Sequence, residues 1–382
     1  MKAPSFSRFF CALFALVLPG AASCAAAADL PPLEWHDGAT LDIEGRGFPG
    51  QTDSPYVRLP ERWKCKIPEG VWNASRTSMG FCVRFVTDSE SVGVRWEAAA
   101  LPPPHPQIAP GGQSGIDIYR RAPGGAWEHV RAAVPDAKAK RGEVCVSWTP
   151  GDECLVYLPM RIHRLTSFAI GLEPGHRLDP PPPHAVAKPV VHYGTSIVHG
   201  ARASRPGMAF TAILSRLADV ELVNLGFPGF GRMELPMADL LAEIDATLYI
   251  VDCDWNMDEE MQRERYEPFV RRLRDLRPAT PILLCGGCTE TGVARPQEVF
   301  ARGVFEKLKA EDPAKWANLH FLSGVGQLPV SSDATTDHIH PNDYGLAHMG
   351  PVYAAAVRDI LFPAIPAVPG GSPKTALENQ KP

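Results

Sequence analysis

Val190-Val191-His192-Tyr193-Gly194-Thr195-Ser196-Ile197-Val198-His199-Gly200 decides the reading of this 382-residue chain. Four residues of apolar and aromatic character run into Gly194, which permits a sharp backbone turn. Ser196 comes next, and the chain beyond it can enter a helix through Pro206. A serine at the top of a strand, in a turn leading to a helix, presents its hydroxyl outward. Taken alone, Ser196 reads more readily as a turn cap. The segments around it decide between the two.

Downstream, strand and helix patterns alternate. Strand-like runs lie at Pro189–Tyr193, Glu221–Leu225, Thr247–Cys253, Pro281–Cys285 and Leu319–Leu322. Helical patterns lie at Pro206–Leu217, Glu234–Ile244, Asp258–Leu276, from Pro296 onward and at Asn342–Leu361. Five such units predict an α/β fold, a parallel sheet with helices on both faces. Ligands of such sheets bind beyond the carboxyl ends of the strands. The residues just after each strand are then informative: Ser196, Gly226 with Pro228-Gly229, Trp255-Asn256, Thr289-Glu290-Thr291, and Asp337-His338-Ile339-His340. A hydroxyl, a small residue offering an N–H, an amide and an Asp/His pair on one edge are the parts acyl transfer needs.

Upstream, from about residue 30 to 180, short alternating strands such as Gly80–Val86, Ser91–Trp96, Glu143–Trp148 and Cys154–Leu158 predict a β-sandwich. Leu101–Gly112 reads as a long loop. Six of the eight tryptophans lie in this half, which fits core packing better than a carbohydrate platform. Pro180–Pro183 reads as a stiff linker. The expected boundaries are 1–28 for a signal peptide, 29–180 for the sandwich, 181–188 for the linker, 189–362 for the α/β domain and 363–382 for a loose tail.

The leader combines Lys2 and Arg8 with the apolar run Phe9–Leu18 and small residues after it, too short to span a bilayer. Export to the periplasm or beyond is expected, with Cys24 the candidate lipid-anchor residue. A net charge of −5 without a basic stripe argues against nucleic acid as a partner. Seven cysteines lie beyond residue 28. Cys145 and Cys154 flank Pro150-Gly151-Asp152 and read as facing each other across a hairpin. Cys285-Gly-Gly-Cys288 lacks the companions of a zinc site and reads as strand-end packing or a local disulfide.

Gly194-Thr195-Ser196, Asn224-Leu225-Gly226-Phe227, Asp252–Met257 and Asp337–Asp343 together resemble the four blocks of SGNH (GDSL-type) hydrolases. Gly115-Ile116-Asp117-Ile118-Tyr119 resembles the Gly-x-Asp-Leu-Tyr signature of a subfamily with an N-terminal, jelly-roll-like β-sandwich. The resemblance implies a flavodoxin-like three-layer domain with a five-stranded sheet, and Ser196 as nucleophile. It implies an oxyanion hole made by the Ser196 N–H, the Gly226 N–H and the Asn256 side chain. It puts the carboxylate and base on Asp337 and His340, whereas the residues alone leave His338 competing with His340.

Asn256 can alternatively cap the helix near Asp258, and Gly226 can be a turn glycine. His199 reads as a helix-entry or rim residue, and Asp117 and Tyr119 as structural. Trp255 is a candidate to stack on a sugar ring or to pack under its loop. Asp254 and Glu290 sit where they could meet substrate. The expected activity is an exported serine esterase that removes a short acyl group, acetyl above all, from a carbohydrate without metal or organic cofactor. An acyltransferase using the same acyl-enzyme, or a carbohydrate-binding protein with an inactive hydrolase half, are the alternatives.

Overall fold

The computed structural model describes residues 32–363. The expected leader at 1–28, Cys24 within it and all but the first residue of the expected tail lie outside the described residues.

The N-terminal half is built of two antiparallel sheets. One runs Glu34–Asp37, Leu165–Leu172, Ser91–Ala98, Arg141–Ser147 in spatial order. The other runs Leu178–Asp179, Cys82–Thr87, Glu153–Tyr157, Ile116–Arg121, Glu128–Ala133, with Ile43–Glu44 added beside Cys82–Thr87. Inward residues of both sheets, among them Phe85, Val94, Trp96, Ile118, Val156 and Ile170, make one core. Trp63, Trp72, Trp96 and Trp148 are buried, and Trp35 and Trp127 lie under the guanidinium groups of Arg95 and Arg121. The tryptophans are packing residues.

The hairpin expected around Gly151 is not one. Cys145 pairs with Gly93 in the first sheet, and Cys154 with Phe85 and Arg120 in the second. The turn therefore crosses between sheets, and all seven described cysteines are free thiols, Cys285 and Cys288 included. Alternation looks the same in a strand whether its neighbour in sequence is its partner or faces it across the core.

In the C-terminal half, β1 (Val190–Gly194), β2 (Leu222–Gly226), β3 (Leu248–Asp252), β4 (Ile282–Cys285) and β5 (Leu319–Leu322) form a parallel sheet in the order 2-1-3-4-5. Every residue of β1–β4 is buried, as a sheet covered on both faces requires. Helices α1 (Phe210–Ala218) and α5 (Asp343–Leu361) cover one face. Helices α2 (Leu235–Ala242), α3 (Glu267–Leu276) and α4 (Pro296–Glu311) cover the other. The expected helix at Asp258–Leu276 contains a π-helical stretch, Gln262–Tyr266. Pro268 just beyond it has no N–H to close a regular turn, which widens the coil there.

Although Pro180–Pro183 reads as a linker, the halves share a core: Met79, Tyr119, Tyr157 and Met160 pack with Phe210, Leu222 and Tyr353. A buried ion pair adds to it. Asp117, fully buried, accepts from Arg205 Nη1 at 2.6 Å and from the Gly207 N–H at 2.9 Å, while Arg205 also donates to the Tyr119 hydroxyl at 2.6 Å. A Cβ on Gly207 would sit 2.3 Å from the Tyr119 ring, so glycine is required by close approach. This contact splits the expected helix at Pro206: a 3₁₀ turn, Pro206–Met208, leads through the extended Ala209 into α1.

Asp117→Ala leaves Arg205 without its buried counter-charge. It is expected to cost about 3–5 kcal/mol in urea unfolding, toward the lower end because Arg205 keeps some contact with water. A loss under about 1 kcal/mol, the worth of a surface pair, would show that the contact does not join the halves.

Candidate active site

The order 2-1-3-4-5 places the reversal of strand order between β1 and β3, where a crevice opens at the carboxyl edge. Gly194 ends β1 there. A Cβ on it would lie 2.3 Å from the Asp252 carbonyl at the end of β3, so the chain can turn upward only with glycine. The Thr195 hydroxyl accepts the Ile197 N–H at 3.2 Å, and the His199 N–H closes onto the Thr195 carbonyl at 3.1 Å. Ser196 rides on this turn.

His340 Nε2 lies 2.9 Å from Ser196 Oγ. Its Nδ1 lies 2.9 and 3.1 Å from the two oxygens of Asp337, and its backbone N–H donates to Asp337 Oδ1 at 2.8 Å. These contacts assign the proton on Nδ1 to the bond with Asp337, leaving Nε2 to accept from the serine. Asn342 accepts the N–H groups of Tyr344 and Gly345, capping α5 and anchoring the loop that carries Asp337 and His340.

A residue not singled out from the sequence joins them. Arg202 Nη2 donates to Asp337 Oδ2 at 3.0 Å and to Gln107 Oε1, in the sandwich's long loop, at 2.9 Å. Burial would raise the Asp337 carboxyl, but the His340 N–H, the His340 ring and Arg202 hold it well below the usual carboxylate range. His338 is turned away. It is exposed, and its Nδ1 meets Glu290 Oε1 at 2.8 Å, while Glu290 also accepts from Thr335 at 2.7 Å. Both Glu290 and His338 are thereby spent on holding the loop.

Two of the expected site residues are placed differently from the sequence reading. Gly226 closes β2 with both backbone groups used: its N–H donates to Asn224 Oδ1 at 2.9 Å, and its carbonyl accepts from Arg58 at 2.8 Å. Its lack of a side chain answers a close approach, since a Cβ would lie 2.3 Å from the His199 nitrogen. A free donor on that loop is Gly229, exposed and at φ +75°. Among the described residues, neither its N–H nor that of Ser196 reaches a backbone carbonyl. The Pro228-Gly229 dipeptide was the available signal, because it marks a turn whose second residue has positive φ.

Trp255 is the other. Its Nε1 donates to the Cys288 carbonyl at 3.1 Å, and the Arg295 guanidinium covers its ring 3.4 Å from the centroid. The indole packs under the loop, and Arg295 already occupies the face a sugar would need.

Asn256 ends a short 3₁₀ turn, Asp254–Asn256, after β3. It does not cap the next helix; Asp258 does, accepting from the Met261 N–H at 2.8 Å. Asn256 Nδ2 donates one hydrogen to the Phe230 carbonyl at 2.5 Å, fixing the amide against the Gly229–Phe230 turn and leaving its second hydrogen free. Gly231 of the same turn packs on the Gly194 carbonyl and the Thr195 nitrogen. Ser196, Gly229 and Asn256 are thus brought together by one loop.

Asp254 is fully buried, so it cannot meet substrate, and neither of its oxygens accepts a side-chain hydrogen bond. Burial first, and the charge of Asp252 second, push its carboxyl up to about 8. In the unfolded chain such a group releases its proton near pH 4, about four units lower, so its contribution to stability falls as pH rises between those values. Asp254→Asn is expected to unfold at higher denaturant than the unmodified chain at pH 8 and at about the same denaturant near pH 4. A gain of equal size at both pH values would show that Asp254 is not held protonated.

Residues 187–358 match the GDSL-like lipase/acylhydrolase family, and residues 33–178 match the N-terminal domain of SGNH-hydrolase-type esterases named for Gly-x-Asp-Leu-Tyr. No curated protein matches the chain. Among solved structures, a GDSL-like lipase from Bacteroides ovatus is 28% identical, with a TM-score of 0.74 over 86% of this chain and 98% of that one. A salicylyl-acyltransferase from a tetracycline biosynthetic pathway shares the fold at 20% identity, TM-score 0.64, over 86% and 96%. A family two carbohydrate esterase from Cellvibrio japonicus shares it at 12% identity, TM-score 0.55, over 87% and 99%. With both halves matched in order, the chain is a carboxylic ester hydrolase of the SGNH (GDSL-type) family, of the kind that carries the N-terminal Gly-x-Asp-Leu-Tyr β-sandwich.

Proposed function

We propose that this hydrolase removes a short acyl group, acetyl above all, from a carbohydrate through an acyl-enzyme on Ser196. The observation that carries the mechanism is the unbroken relay from Ser196 Oγ through His340 to Asp337, at 2.9 Å for each link. Ser196 attacks the ester carbonyl as His340 Nε2 takes its proton. The oxyanion meets the N–H groups of Ser196 and Gly229 and the free hydrogen of Asn256, with Gly229 in the part expected of Gly226. His340 then gives the proton to the departing alcohol. Water, activated by the same imidazole, releases the acid and restores the serine. Asp337 keeps the imidazole in the required tautomer.

The carbohydrate half of the proposal is supported by the sandwich packed beside the site, which offers a second wall to an extended substrate. Export by the leader-like residues 1–28 would bring the enzyme to polymers outside the cytoplasm. No helix of the described residues is long and apolar enough to cross a membrane.

Ser196→Ala and His340→Ala are each expected to lower turnover of an aryl acetate by about 10⁴-fold or more. His338→Ala should stay within a few-fold, and Asp337→Asn should cost less than His340→Ala. Asn256→Ala should cost about 10²–10³ in kcat with little change in KM. Full activity in Ser196→Ala, or a larger loss at His338 than at His340, contradicts the assignment. Screening acetylated saccharides against long-chain lipid esters tests the substrate: cleavage of the lipids alone would overturn the carbohydrate reading.

A further inference from the structure

One turn beyond Ser196, a cavity of about 290 Å³ opens between the halves, lined by Pro103, His105, Arg161 and His163 on the sandwich side and by His199 and Pro228 on the other. Its two α/β residues belong to the loops that carry Ser196 and Gly229. No carboxylate lines it. Arg161 donates Nη2 to the Ala201 carbonyl at 3.0 Å, while its Nε is buried with no acceptor. Burial, with Arg202 second, lowers the guanidinium to about 10, which leaves it charged at neutral pH. His199 is 3% exposed, and its Nδ1 is buried without a partner. Burial, then Arg161 and Arg58, hold its ring well below the ordinary histidine range, so it is neutral and carries one N–H.

A charged guanidinium with no counter-ion and an imidazole with no partner are costly to bury. Both residues line one cavity. The orphaned Nε and Nδ1 are sealed from solvent, so an anionic oxygen in the cavity would be met by Arg161 Nη1 and His199 Nε2, which are neither sealed nor hydrogen-bonded to a described residue. Pro102, Pro103 and Ile108 form an apolar wall beside them, and Thr77, Gln113 and His163 add neutral polar groups to the lining.

We propose that this cavity is a subsite for an acidic sugar, a hexuronate whose carboxylate is held by Arg161 and His199 and whose ring lies along Pro102 and Pro103. The preferred substrate is then an acylated glycan bearing uronic acid next to the esterified residue. This rests on the esterase reading above. A planar carboxylate fits the two-donor edge of a guanidinium, whereas a neutral sugar leaves the charge unmet.

The test uses the full chain carrying Ser196→Ala, so that binding is read without turnover. Methyl glucuronoside, methyl glucoside and inorganic phosphate are titrated by calorimetry. The uronide is expected to bind about 10- to 100-fold more tightly than the glucoside, as one charge-assisted contact would give. Arg161→Gln, added to the same chain, should remove that preference, and Arg161→Lys should keep part of it. Should Arg161→Gln fail to fold, the comparison of the two glycosides in the parent chain decides alone. Equal binding of both glycosides, a preference that survives Arg161→Gln, or phosphate binding as tightly as the uronide overturns the proposal. Hydrolysis of an aryl acetate by the unmodified chain is measured separately, so failure of the esterase reading is seen independently.

Discussion

The site depends on backbone segments that approach more closely than any side chain allows. A Cβ on Gly194 would strike the Asp252 carbonyl, one on Gly226 the His199 nitrogen, and one on Gly231 the Gly194 carbonyl, each at under 2.5 Å. These three contacts draw the ends of β1, β2 and β3 into a single knot at the point where the strand order reverses. Ser196 stands on that knot with only 8% of its surface exposed. The Gly229–Phe230 turn is pressed between it and Asn256. Preorganisation of this kind is what acyl transfer requires, because donors that need not move when charge develops do the most to stabilise it.

Two carboxyl groups near the knot illustrate how position sets chemistry. Asp337 keeps its charge through the His340 N–H, the His340 ring and Arg202. Asp254, only two residues before Asn256, has no cationic partner at hydrogen-bond distance and is pushed to about 8. The first can support an imidazolium. The second, buried and without a cation, is held neutral. Arg202 extends the relay outward, since its second contact is Gln107 of the sandwich's long loop. Arg202 thus connects the sandwich to the acid of the relay, and Asp117 ties it through Arg205 and Gly207 to the turn that leads into α1.

Much of this was legible in the sequence for a physical reason. Strands buried on both faces read as nearly continuous apolar runs, so β1–β4 stand out, the short β5 follows the same alternation with helices, and the residues leaving their carboxyl ends must lie on one edge. Ser196, Asn256 and the Asp337–His340 loop could be found that way, while the choice of His340 over His338 came from the family resemblance. The features that could not be read depend on where side chains point or on residues distant in sequence. Whether Gly226 has a free N–H depends on where Asn224 points. Whether Trp255 has an open face depends on Arg295, and whether Cys145 meets Cys154 depends on which sheet each strand joins. Arg202 carried no signal of its own, because a lone arginine after a turn reads as surface charge.

Acyl transfer by the proposed mechanism requires Ser196 to become covalently acylated. Mixing the purified chain with an aryl acetate, quenching in acid within the first turnover and mapping peptides by mass spectrometry tests it directly. An acetyl group is expected on the peptide containing Ser196, localised to that residue, and is expected to disappear as the substrate is exhausted. Turnover without any covalent adduct, or an adduct on a different side chain that forms and decays at the catalytic rate, would contradict it.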